Sequence, residues 1–341
     1  MHMADALLSP VVGGTFWAVS AGILGYAAKK INQENNISKT PLMGVMGAFI
    51  FAAQMINFAI PGTGSSGHIG GGLLLSALLG PWRAFITLAS VLVVQCLFFA
   101  DGGLLALGCN IFNLAFFPAF IAYPFIFRKI AGNNSNTLRL AIASVTATIV
   151  GLELGAFFVI IQTILSGSSE LTFSTFVLFM LPIHLAIGMI EGFITWAVLS
   201  FIVRVQPSLL NGEQVTTLAR PLPIIFVAAA LVTGGILSYF ASEHPDGLEW
   251  AIEKTSGSEE LNGKESSITA LLEKFQERLS FLPDYSFKSD DDSVSEENTR
   301  SGLQAFGTSV SGVAGSLIAL LLALGAGTVL RLRHLARGRK P

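Results

Sequence analysis

The first ten residues, MHMADALLSP, place a histidine directly behind the chain's own α-amine. The Met1 amine, the amide nitrogen of residue two and the His2 imidazole can close fused five- and six-membered rings on one metal ion. Such a chelate needs a free amine and a histidine at position two, and it supplies three nitrogens in one plane. Tetragonal nitrogen fields favour Ni(II) or Cu(II), and a fourth donor completes them. The stretch PGTGSSGHIGGG offers one, because His68 sits there among Gly62, Gly64, Gly67, Gly70, Gly71 and Gly72. So many glycines make a poor helix interior, yet they let the backbone approach another segment closely. Two plainer readings stand beside this one. A histidine at position two is often an accident of a mobile terminus, and a histidine near a glycine loop is often only interfacial.

The elements that must position these residues are membrane spans. Of 341 residues, 52% are apolar and 12% charged, against roughly 25% charge in a soluble domain. With a mean hydropathy of +0.66, the chain reads as a polytopic membrane protein. Apolar runs predict nine helices, at 10–28, 41–60, 69–81, 84–100, 104–127, 138–165, 172–203, 222–241 and 310–330. The third is short for a hydrocarbon core of about 30 Å, so it is expected to be partial or tilted. With the N-terminus outside, the inner loops and the tail hold fourteen of the twenty Lys and Arg residues. The other six lie within 243–308, and the short outer connections near 62–67, 101–103 and 166–171 hold none. This is the asymmetry the positive-inside rule asks for. The expectation is an all-α protein of the inner membrane, N-terminus outside and C-terminus cytoplasmic, with His2 and His68 on one outer face.

Composition also divides the chain. Fifteen of its 22 acidic residues fall within 243–297, and so polar a block belongs in water. Residues 1–205 are read as a seven-span bundle and 206–221 as a polar cytoplasmic linker. Residues 222–341 are read as a two-span hairpin with an acidic extracytoplasmic segment at 243–308. Cys96 and Cys109 lie in apolar runs, which does not indicate a disulfide framework. The start lacks a basic n-region and a cleavage motif, so Met1 is expected to begin the mature chain.

Polar residues inside spans are costly and point to function. Asn110 and Asn113 share a helix face and could orient the loop backbone or a ligand imidazole, or simply hydrogen-bond between helices. Asp5 could bond His68 or cap the first helix, whereas Asp101 reads as a helix-start acid beside a turn. Ser66 joins these candidates for the surroundings of the metal or its path. His184 and Glu191 lie seven residues apart on one face, about 10.5 Å along a helix, which is too far to share one ion. They are expected to bond neighbouring helices or to line a path. Glu153 is another intramembrane acid, for which no partner can be named. The acidic segment could concentrate cations or act as a spacer. Within it, Ile268, Leu271, Leu272, Phe275 and Leu279 have helical spacing and are expected to dock in part. The run KSDDDSVSEENTRSG reads as a flexible acidic linker.

These residues also carry a resemblance. MHMADALLSP is similar to the MHIPDGFLSP opening of the NikM/CbiM family, the substrate-binding S components of energy-coupling-factor nickel and cobalt transporters. The likeness continues in order through FAAQMINFAIPGTGSSGHIGGGLL, LLGPW, FFADGGLLALGCNIFNLAF and HLAIGMIEGFIT, over about residues 1–205. HPDGLEW at 244–250 resembles the PDGLE segment of the small NikN-type companion, so the two look fused here. The resemblance implies a square-planar nitrogen site made by the Met1 amine, the His2 amide and imidazole, and the loop histidine that matches His68. It implies Ni(II) as the transported substrate, or alternatively Co(II) feeding cobalamin synthesis, with no organic cofactor. It implies as partners a transmembrane coupling (T) subunit and a cytoplasmic ATPase pair, and a companion segment needed for transport. Met3, Ala4, Ala6 and Leu7 depart from the family's Ile, Pro, Gly and Phe, and Cys109 stands where Ala is usual. These departures bear on how the N-terminus turns and on metal choice.

Other classes fit less well. The sequence has no Walker A phosphate loop, so no ATPase of its own is expected. An intramembrane metalloenzyme predicts a helical HExxH pair, which is absent. A proton-coupled secondary carrier predicts inverted repeats, which the sequence does not display, and nothing in it points to nucleic acid.

Overall fold

The structure, a computed structural model, describes residues 2–34, 39–132, 136–168, 171–210, 219, 221–257, 266–287 and 297–337. Met1, most of the linker at 206–221 and most of the acidic run after residue 287 lie outside the described residues.

The Ser9 hydroxyl accepts from the Val12 amide at 3.4 Å, and Pro10 takes the first position of α1 (Pro10–Gln33), where a missing amide costs nothing. After α2 (Thr40–Gln54) the chain forms a small antiparallel hairpin, β1 (Phe58–Ile60) with β2 (Ser65–Gly67), Phe58 opposite Gly67. Four helices follow: α3 (Gly72–Leu79), α4 (Pro81–Phe99), α5 (Leu107–Ala131) and α6 (Thr137–Ser166). Then come α7 (Phe173–Val205), α8 (Pro221–Gly235), α9 (Gly247–Ser256), α10 (Ser267–Leu279) and α11 (Glu297–Arg337). Within α5, Phe112–Phe127 winds as a wider π-helix that contains Pro118 and Pro124, residues that cannot complete a regular helical ladder.

Among the described residues seven helices are long and apolar enough to cross a membrane, so the protein is a multi-pass membrane protein. The nine expected spans thus resolve into seven long helices and two short ones. α2 has 15 residues and α3 has 8, so α3 rises only about 12 Å. Both are buried among other helices. Partial spans and irregular backbone are tolerated at membrane depth where protein rather than lipid surrounds them. The strand pair is the one departure from an all-helical expectation among the described residues.

α4 runs through the centre, with Phe85 and Phe99 fully buried, and Phe99 meets Phe51 of α2 at 5.4 Å between ring centroids. α2 also carries the helices of the second domain, because Gly44 and Gly47 face Leu324 and Ala323 of α11. Gly234 of α8 faces Gly312 of α11 in the same way, the small-residue contact that lets membrane helices approach closely. Cys96 and Cys109 are both buried and free.

Candidate metal site

The N-terminal segment lies in a cradle made by the turn between α4 and α5. Gly103 N–H donates to the Met3 carbonyl at 2.9 Å. The Asn110 side chain brackets the same residue, its oxygen accepting from Met3 N–H at 2.8 Å and its amide donating to the Met3 carbonyl at 3.2 Å. Asn110 therefore orients the N-terminal backbone rather than the loop or an imidazole. Asp5 neither bonds His68 nor caps α1. Its carboxylate accepts from the Leu105 and Ala106 amides at 3.1 and 2.9 Å, closing the start of α5. Asn113 pairs reciprocally with Gln162 of α6 at 2.7 and 3.1 Å, an interhelical role. The cradle has no spare room, since a Cβ on Gly103 would fall 1.8 Å from Asp5 Oδ1. We expect Gly103→Ala to cost about 1–3 kcal/mol, the usual range for overpacking, read as a lowered unfolding temperature in detergent.

The glycine loop is held from the other side. Glu191 of α7 accepts from the Gly70 and Gly71 amides, each at 2.8 Å. Gln54 donates to the Gly70 carbonyl at 3.0 Å and accepts from Gln95 at 3.0 Å. Gly71 has φ +77°, and a Cβ there would lie 2.6 Å from Ile50, so only glycine fits. Glu191 thus fixes the loop backbone beside His68, as the separation between His184 and Glu191 left open.

Between the two held segments the His2 and His68 rings stack, with centroids 5.3 Å apart and planes 13° from parallel. Two imidazoles bound to one ion through metal–nitrogen bonds of about 2 Å have centroids up to about 6 Å apart, so the separation of the rings lies within the range a shared ion allows. His68 Nδ1 lies 3.1 Å from the Ile69 carbonyl. A carbonyl only accepts, so Nδ1 carries the proton and Nε2 keeps its lone pair for a metal. His2 Nδ1 lies 3.1 Å from Asp101, and its Nε2 is buried without a hydrogen-bond partner among the described residues. The six-membered chelate ring uses Nδ1. Chelation through this ring therefore requires a half turn of the imidazole about Cβ–Cγ, which would free Nδ1 from the carboxylate. Burial lowers the tendency of both imidazoles to protonate, that of His68 to about 4, which keeps them neutral as ligands must be. The unfolded chain takes up these protons near pH 6.5, and the folded chain resists. Stability of the metal-free protein is therefore expected to fall as pH drops from about 6.5 toward 4, checked by thermal unfolding across that range.

Asp101 was read from the sequence as a helix-start acid; instead it faces His2 and accepts from the Tyr285 hydroxyl. His184 bonds its own helix rather than a neighbour. Its Nδ1 lies 2.7 Å from the Met180 carbonyl, and Nε2 is buried without a hydrogen-bond partner among the described residues. It lines a small cavity with His68, Leu114, Ile187, Asp246 and Gly247. A second cavity shares Gly70, Leu114 and Leu152 with the first and reaches Asn113 and Glu191. Among the described residues no group of three His, Cys, Asp or Glu side chains converges to hold a metal. A site that draws two of its donors from an amine and a main-chain amide needs no such group.

The second domain closes over this region. The His244 carbonyl accepts from the Ser66 hydroxyl at 2.7 Å, and the Pro245 carbonyl accepts from Ser66 N–H at 2.8 Å. Trp250 of α9 donates to the Thr63 carbonyl at 3.0 Å. Asp246 caps α9 in a capping box with Glu249. α10 docks in part, through half-buried Leu272 of its apolar stripe, packed against the core, and through one buried polar residue. Ile268, Leu271 and Phe275 are exposed, while Gln276 is buried and donates to the Cys96 and Gly102 carbonyls at 2.9 and 2.7 Å.

Residues 2–209 match the family model described as cobalt uptake substrate-specific transmembrane region (CbiM), and residues 220–332 match the PDGLE domain. A relative from Archaeoglobus fulgidus, named as a fused nickel transport protein NikMN, is 32% identical over 94% of this chain and 96% of its own length. The cobalt transport protein CbiM of Sorangium cellulosum is 29% identical over 64% of this chain and 98% of its own. A crystal structure of a transition metal transporter superposes with a TM-score of 0.54 at 31% identity, covering 62% of this chain and 97% of that one. These relatives are transporters, not enzymes. The chain belongs to the CbiM family of substrate-specific transmembrane proteins and carries a PDGLE domain fused behind it.

Proposed function

We propose that this protein is the metal-binding membrane subunit of an ATP-driven energy-coupling-factor importer for Ni(II). The ion arrives from outside and is held by the Met1 amine, the amide and imidazole of His2, and His68 Nε2. Met1 itself lies outside the described residues. The observation that carries the reading is the pair of neutral imidazoles stacked 5.3 Å apart, brought from positions 2 and 68 by separately anchored segments. Ser66, Asp5, Asn110 and Glu191 serve by fixing backbone around these donors, Asn113 by tying α5 to α6 behind them. His184 and Glu191 line the two adjoining cavities, a route by which the ion leaves toward the cytoplasm. Release needs only that the square of nitrogens be broken or a donor protonated. The coupling subunit and the ATPase pair drive that step, and the protein sits in the inner membrane with its N-terminus outside.

Cobalt is the alternative substrate. A relative matched over 94% of this chain is named for nickel, whereas a cobalt-named one is matched over 64% of it, which favours nickel. Metal content of the purified protein, followed by uptake of labelled Ni(II) into vesicles with the coupling subunit and ATPases, tests the reading. Bound Ni(II) and uptake that stops without ATP are expected. Uptake indifferent to ATP would overturn the coupled mechanism, and an excess of bound cobalt would overturn the substrate.

A further inference from the structure

One of the links between the PDGLE domain and the candidate metal site runs through a phenol. The chain after α10 lies along the end of α4, where the Phe281 and Leu282 amides approach the Phe98 carbonyl at 3.2 and 3.4 Å. It then turns sharply, with Asp284 at φ +47° and Tyr285 at φ +59°. Two successive non-glycine residues in the left-handed region are strained, and such strain persists only where surrounding structure holds it. Here the Tyr285 ring stacks on Phe99 with centroids 5.1 Å apart, and its hydroxyl donates to Asp101 Oδ2. The other oxygen of the same carboxylate faces His2. The Asp101 turn is pinned once more from this domain by Gln276, which bonds the Gly102 carbonyl.

We propose that Tyr285 is a positioning residue for the metal site, holding the Asp101 carboxylate beside the His2 imidazole, where it meets Nδ1 in the metal-free chain and takes the Nε2 edge once Nδ1 turns to the ion. This rests on the proposed role of His2 and His68 as ligands. A carboxylate on one ring N–H fixes the orientation of a ligand histidine and makes its other nitrogen a stronger donor, and loss of such a partner weakens metal affinity about 10–100-fold. Tyr285 stands one step further out, so an effect at the lower end is expected. Burial and the neighbouring carboxylate hold the phenol well above its ordinary range, so the hydroxyl remains the donor. The second domain thereby acts on the ligand geometry and does more than cover it.

The test uses the full chain in detergent, Ni(II) alone as the probe, and two variants measured side by side. Tyr285→Phe removes only the hydroxyl. It is expected to lower Ni(II) affinity about tenfold and to alter the ligand-field absorption of the bound ion, with the unfolding temperature of the metal-free protein unchanged. His68→Ala is expected to weaken binding by well over 100-fold. If His68→Ala binds as the parent does, the ligand set fails and this inference with it. If His68→Ala weakens binding while Tyr285→Phe matches the parent in both affinity and absorption, the inference alone is overturned.

Discussion

His68→Ala is expected to weaken Ni(II) binding by well over 100-fold. Loss of a partner that merely orients a metal ligand costs about 10–100-fold, and this substitution removes a donor. Three nitrogens from the terminus would remain, with water in the fourth position. The fold should survive, because the one hydrogen bond of the His68 side chain among the described residues is local, Nδ1 on the Ile69 carbonyl, while the loop is held by Glu191 and Gln54. Titration calorimetry, or competition with a chelator, reads the affinity. An isotherm equal to that of the parent would remove His68 from the ligand set.

Glu191→Ala should give the largest loss of stability. Its carboxylate satisfies two buried loop amides at 2.8 Å each, and a buried donor left unpaired costs about 1–3 kcal/mol. Truncation is therefore expected to cost roughly 2–6 kcal/mol, the range for two such donors, and to lower metal affinity as well, because only Ile69 separates His68 from Gly70 and Gly71. Glu191→Gln keeps one accepting oxygen and should fall between the two. Thermal unfolding in detergent, with and without Ni(II), separates stability from binding. If Glu191→Ala unfolds at the parent's temperature, the clamp does not hold the loop.

Much of the architecture was legible because hydropathy over 18 or more residues is a strong signal, and α1, α4, α6 and α7 begin within a few residues of the expected positions. The short helices were over-read. α2 and α3 are as apolar as true spans, but glycines and the β-hairpin end them early, a matter of local turns that hydropathy does not register. The meeting of His2 and His68 was legible because both were expected on one face. Asp101 was not, since its meaning comes from Tyr285, 184 positions away, and spacing is blind to a pairing made only by tertiary packing. The same limit hid the latch of Ser66 on His244 and Pro245, 178 and 179 positions apart. The apolar stripe of α10 docks only in part, through Leu272, while its buried anchor is the polar Gln276. An amphipathic pattern fixes which residues share a face and leaves open which face turns inward.

The central claim is that the protein's own first nitrogen is a metal ligand. An α-amine titrates at about 7.7–8.0, below lysine, so it can be acetylated selectively on the intact protein at neutral pH. Comparing Ni(II) affinity before and after that modification is the most direct measurement. Removal of high-affinity binding with the fold unchanged is the predicted result, and undiminished affinity in the acetylated protein would contradict it.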